Sequence, residues 1–185
     1  MTHIELCRLA GLNKSQMSRY LGVSLVTVHH WDKERFKPSG ITRALIALSL
    51  NVGRANPDVL QASIGIETPA RPLQVVREFF ETEGGLHYYF DVPLHRLTEW
   101  EQDPPVALCR YAALLGVAGV FLPDLAAQLR DRYPSFVEVN RSKATSKAMK
   151  QKEGAKLSRK RREGERKHLM NIQEMLEEDD NPYPW

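Results

Sequence analysis

Apolar residues recur at helical spacing from the first turn of the chain. Ile4, Leu6, Leu9 and Ala10 line one helix, and Gly11 stops it. Asn13-Lys14-Ser15-Gln16 reads as a capping box: Asn13 accepts from the backbone N–H of residue 15 or 16 while Gln16 reaches back. A second helix therefore starts at Lys14 and carries Met17, Tyr20 and Leu21 on one face. Gly22 lets the chain turn with positive φ. Ser24 caps a third helix, Leu25 to about Lys33, with Val28 and Trp31 on its inner face. Pro38-Ser39-Gly40 interrupts, and Ile41 to Leu50 forms a closing apolar helix.

The same pattern returns 69 residues later. In 18–34 and 87–103, Tyr20 aligns with Tyr89, Val23 with Val92, Leu25 with Leu94, Val28 with Leu97, and Trp31 with Trp100. Leu73, Val76, Phe79 and Phe80 make the opening helix of this second copy, with Gly84-Gly85 as its break. Pro104-Pro105 precedes its closing helix, with Leu108, Tyr111, Ala112, Leu114 and Leu115. Asp91 stands where the first copy has its turn glycine. Between the copies, 51–72 holds Gly53, Pro57, Gly65, Pro69 and Pro72 and reads as a linker with one extra helical turn at 58–62. After the second copy the pattern predicts a helix from Leu125 to Tyr133, stopped by Pro134.

From Ser142 onward the apolar pattern fails. No apolar residue lies between Leu157 and Leu169, so this stretch builds no core and is either a solvated helix or disordered. Leu169, Ile172 and Leu176, with Met175 adjacent, form a short amphipathic stripe before the acidic end.

Composition adds little to the fold but much to the choice of partner. Apolar residues make up 42% of the 185 and aromatic residues 8%. With strand-like runs scarce, the class is all-α. No apolar run approaches the length of a membrane span, and the N-terminus lacks the pattern of a signal peptide, so a cytoplasmic protein with reduced Cys7 and Cys109 is expected. The net charge of +3 hides an asymmetry: −1 over 1–140, +9 over 141–170 and −5 over 171–185. Such a pairing points to nucleic acid, self-association, or both. Lys156, Arg159, Lys160, Arg161 and Arg162 form the densest basic cluster, suited to sequence-independent phosphate contact or simply to solvation.

Two short helices joined by a tight turn with a central glycine are the helix-turn-helix arrangement, whose second helix enters a major groove about 12 Å wide. The run LNKSQMSRYLGVSLVTVHHWDKERFKPSGITRALIALSL resembles the phage-repressor, or XRE-type, helix-turn-helix family. The likeness rests on Gly-Val-Ser at the turn, Thr27-Val28 with Trp31, and Pro-Ser-Gly before the closing helix, the last reminiscent of antitoxin-like members. It covers roughly residues 3–52.

The resemblance implies base contacts from Leu25, Val26, Thr27, His29 and His30, and phosphate contacts from Lys14 and Ser15. Lys33, Arg35 and Lys37 follow the reading helix and reach toward the backbone. Leu25 and Val26 are apolar where polar readers are frequent; they either read thymine methyls or are buried in a protein contact. In the second copy, Leu94, His95, Arg96 and Thr98 form the corresponding surface. Glu78, Glu81, Glu83, Asp91, Glu99, Glu101 and Asp103 surround it, so it serves either DNA or a structural, dimerising or partner role. The acidic end closing on Pro182, Tyr183, Pro184 and Trp185 is similar to the C-terminal tip of single-stranded-DNA-binding proteins, which recruits replication partners.

The expected organisation is a helix-turn-helix DNA-binding module at 1–56, a linker at 57–69 and a second helix-turn-helix-like module at 70–122. A short helix and linker at 123–140, a basic helical tail at 141–178 and an acidic-aromatic tip at 179–185 follow. The expected function is a sequence-specific double-stranded-DNA-binding transcriptional regulator of bacterial, phage or plasmid type, acting as a homodimer. One alternative is a DNA-site adaptor recruiting another machine, for phage packaging, conjugation or replication, through its C-terminal tail. Another is RNA binding by the tail, with the helix-turn-helix serving assembly. No phosphate-binding glycine loop, nucleophile elbow, CxxC or metal-ligand spacing is present in the sequence, so neither catalysis, cofactor nor metal is expected.

Overall fold

The computed structural model describes residues 2–38, 40–82 and 84–178, and every regular element among them is an α-helix. In chain order these are α1 (Thr2–Ala10), α2 (Lys14–Leu21), α3 (Leu25–Asp32), α4 (Gly40–Ala55), α5 (Pro57–Ser63), α6 (Pro72–Phe79), α7 (Leu86–Phe90), α8 (Leu94–Gln102), α9 (Val106–Phe121) and α10 (Pro123–Glu178). The chain divides into two compact units, Met1–Asn140 and Arg141–Trp185, so α10 contributes to both.

Local chemistry sets the first helices. The Asn13 side chain accepts from the Gln16 backbone N–H and Gln16 returns the bond to the Asn13 N–H, each at 2.9 Å, which starts α2. Gly22 ends it at φ 66°, and Ser24 Oγ accepts from the Thr27 N–H at 3.1 Å to start α3. Asn56 caps α5, with Pro57 in the first turn, where a missing N–H costs nothing. The stretch expected as a linker thus opens with a seven-residue helix anchored by fully buried Leu60.

The repeat persists at the level of elements. Moved by 69 residues, α1 to α4 fall on α6 to α9, and α5 falls on the start of α10. Buried positions coincide: Met17 with Leu86, Leu21 with Phe90, Val28 with Leu97, Leu45 with Leu114, Ile46 with Leu115. Even a tether recurs, one residue out of step. Gln61 Nε2 donates to the Leu9 carbonyl, and Arg130 Nε, 69 positions on, donates to the Phe79 carbonyl.

The two copies are not separate bodies. α4 packs along α9 between them, with α1 and α5 against α4 and α6 against α9, and one hydrophobic core runs from Leu6 to Tyr133. Two short four-helix sets each bury little surface alone; sharing the α4–α9 seam gives both a common interior.

Pro134 does not end its helix, contrary to the sequence expectation. α10 continues through it because side chains on both sides are tied down. Tyr133 Oη donates to the Gly84 carbonyl at 2.9 Å, Val137 packs beside Gly85, and Asn140 Nδ2 donates to the Tyr88 carbonyl at 2.8 Å. These contacts offset the proline's lost backbone bond.

The second unit is helical from Arg141 to Glu178, and its side chains from Arg141 to Gln151 are exposed. The side chains of Lys156, Lys160, Arg161, Leu169, Ile172, Met175 and Leu176, and the whole tip with Pro182, Tyr183, Pro184 and Trp185, lie outside the described residues. Among those described, no single helix is long and apolar enough to cross a membrane.

Candidate nucleic-acid interface

α3 is half core and half surface. Val28 and Trp31 are buried, while Leu25 and Val26 stand 40% and 62% exposed. His29 is also exposed. Thr27 and His30 are half-buried and already engaged. The Thr27 hydroxyl lies 2.8 Å from Ser24 Oγ within the cap, and the His30 ring sits 5.4 Å from that of Phe36. Of the five side chains the resemblance places on bases, Leu25 and Val26 therefore project from the surface, and His29, also exposed, keeps its Nδ1 3.8 Å from Asp32 Oδ2.

One carboxylate fixes the pose of α3. Asp32, its last residue, accepts from His3 Nε2 of α1 at 2.7 Å and from Lys14 Nζ of α2 at 2.6 Å. Lys14 chiefly, then His3, hold the Asp32 carboxyl below its ordinary range. His3 is only 5% exposed and its ring is tilted against that of Trp31, with ring centroids 6.2 Å apart. The one acidic side chain of α3 is thus turned inward and neutralised. Lys14, expected as a phosphate ligand, is already paired; Ser15, expected in the same role, is exposed.

The cations after α3 are differently placed. Lys33, Arg35 and Lys37 are exposed, and none forms an ion pair among the described residues. They lie in and just after a tight reversal in which the Glu34 N–H donates to the Trp31 carbonyl and the Arg35 N–H to the His30 carbonyl, with Glu34 at φ 54°. Beside this reversal a groove of about 770 Å³ opens between Trp31, Phe36, Lys37 and Arg43. Arg19, which the sequence reading passed over, is exposed on α2 one turn after Ser15, with its guanidinium 3.4 Å from the Ser15 hydroxyl. The Ser15-to-Arg19 spacing of four residues is the signal that would have found it.

The equivalent face of α8 is built alike but charged differently. Leu94 is 63% exposed at the position of Leu25, and His95, Arg96 and Thr98 are exposed beside it. Asp91 takes over the role of the turn glycine and adopts the left-handed conformation at φ 55°, so the turn survives the substitution. The caps do not: Pro93 stands where the first copy has Ser24, and α7 starts after Gly85, so neither helix has a side-chain cap bond. Arg96 donates to Glu99 at 2.8 Å and Arg77 to Glu101 at 2.8 Å, so both cations are spent on neighbouring carboxylates.

On the second unit, Lys143, Lys147 and Lys150 share one face at helical spacing, and Arg159 and Arg162 are exposed further on. Thr145 and Ser146 turn their hydroxyls back onto the carbonyls of Arg141 and Ser142, leaving the amines as the outward groups. Among the described residues no three His, Cys, Asp or Glu side chains converge as metal ligands. Cys7 and Cys109 are half-buried, and burial pushes both thiols up. No family model, curated protein or solved structure matches the chain.

Proposed function

We propose that this protein binds double-stranded DNA with sequence preference, as a transcriptional regulator of bacterial, phage or plasmid type, through a helix-turn-helix made of α2 and α3. The observation that carries the reading is the division of α3. Its inner side is locked by Val28, Trp31 and the Asp32 anchor. Its outer side offers Leu25, Val26 and His29 with no acidic group of its own, followed by Lys33, Arg35 and Lys37, which form no ion pair among the described residues. A rigidly held helix with an uncharged tip and cations at its far end suits base edges and phosphates respectively. Leu25 and Val26 then meet thymine methyl groups. The lysine row and basic cluster of the second unit add salt-sensitive affinity without sequence preference.

The adaptor reading shares this DNA contact and differs in the C-terminal segment, where five acidic residues in 171–185 precede an aromatic end. Removing 179–185 separates the two: a regulator keeps its partners, whereas an adaptor for packaging, conjugation or replication loses one in a pull-down. The DNA contact itself is tested by titrating duplexes selected from a random pool. Arg35→Ala is expected to weaken all sequences alike and to lower the salt slope by about 1, whereas Val26→Ala changes the preferred bases.

A further inference from the structure

The way the two copies meet is reciprocal. The turn after α2 of the first copy lies on the start of α9 of the second, where a Cβ on Gly22 would come within 2.7 Å of Val106 Cβ. The turn after α7 of the second copy lies on the start of α4 of the first. There Gly40 faces Val92 and the Phe90 carbonyl, and Arg43 Nη2 approaches Asp91 Oδ2 at 3.6 Å. Gly22 and Asp91 are equivalent residues, 69 apart, as are helices α4 and α9, which form the seam between these contacts. A head-to-tail stacking of repeats would make only one of the two contacts; making both is the signature of a two-fold, isologous pairing.

From this, and resting on the DNA reading above, we infer that residues 1–140 are a dimer fused in one chain. A single copy of the protein spans both half-sites of an inverted repeat, with α3 on one arm and α8 on the other. The pairing that a homodimer would supply is made by the second copy of the repeat. The direct-repeat arrangement, natural for tandem modules on a string, is not the one the reciprocal contacts favour. The arms are unequal. On the α3 arm Lys33, Arg35 and Lys37 form no ion pair among the described residues. The α8 arm offers Leu94, His95 and Thr98 to bases, but its arginines are held by Glu99 and Glu101, and it contributes few phosphate contacts. The bound sequence is therefore an imperfect palindrome with one strongly and one weakly specified arm.

The test uses the full chain on its selected duplex, with native mass measurement of the complex and hydroxyl-radical footprinting. One chain per duplex is expected, with two protected patches about 10 base pairs apart. The double variant His95→Ala, Arg96→Ala changes only exposed side chains. It should lose protection of the weak arm alone and weaken binding about tenfold. Two chains per duplex, a direct repeat, or a single patch indifferent to the α8 variant overturns the inference while leaving DNA binding by α3 intact. Absence of any sequence-preferring binding overturns both.

Discussion

Asp32 ties three helices with one side chain, and its charge state is therefore a stability switch at low pH. Its carboxyl is held below its ordinary range in the folded chain, by Lys14 first and His3 second. The unfolded chain binds the proton more readily. The stabilisation is thus complete above the ordinary carboxylate range and is lost as pH falls through the lower folded value. Asp32→Asn is expected to cost about 1 kcal/mol at neutral pH, the scale of a partly exposed charged hydrogen-bond pair. It should also flatten the acid side of the stability curve, which urea melts across pH would measure. Glu34 tests a different residue-scale cost. Held at φ 54° without the freedom of glycine, it is expected to gain about 1 kcal/mol on substitution by glycine. The same change removes the one carboxylate among the loop cations and should raise duplex affinity. Glycine marks a left-handed turn in a sequence; a glutamate or aspartate in that conformation leaves no such mark, so Asp91 was legible only through its alignment with Gly22, and Glu34 became visible only in the structure.

At the scale of elements, the start signals were legible and the stop signals less so. The Asn13–Gln16 box and the Ser24 cap are reciprocal local bonds, decided by residues within one turn of each other, and both are present in the structure. Ser24→Ala is expected to lower stability by about 1 kcal/mol, read from thermal melts, because the Thr27 N–H loses its acceptor. α5 was also signalled, by Asn56-Pro57, but a seven-residue helix between prolines is outweighed by the turn-forming residues around it. Pro134 lies inside α10 for a tertiary reason. Tyr133, Val137 and Asn140 are held by the α6–α7 region, some 50 positions earlier in the chain, which no local reading of the proline could foresee. For the candidate site, the sequence located α3 and its trailing cations but not which of them are free. That Lys14 is captured by Asp32 depends on a contact 18 residues long in sequence.

At the scale of the molecule, the repeat was visible in sequence while its consequence was not. Aligned residues show that two copies exist; only the packing of α4 on α9, and of each turn on the other copy's closing helix, makes them one body. Trp31 and Trp100 report on the two copies separately, and with Trp185 replaced their single-tryptophan variants are expected to unfold at the same denaturant concentration. Two distinct midpoints would show independent modules. Gly22→Ala forces a Cβ against Val106 at a positive φ, and is expected to cost about 1–3 kcal/mol and to lower both tryptophan transitions together. The central claim, that this body reads DNA through α3, is most directly tested by selecting bound duplexes from a random pool with the full chain at about 0.1 M salt, in parallel with a Leu25→Ser, Val26→Ser variant. The account predicts that one sequence motif is enriched and that the variant, still folded, loses its preference while retaining salt-sensitive affinity. A pool that emerges unenriched, or a motif that the variant recovers unchanged, would contradict it.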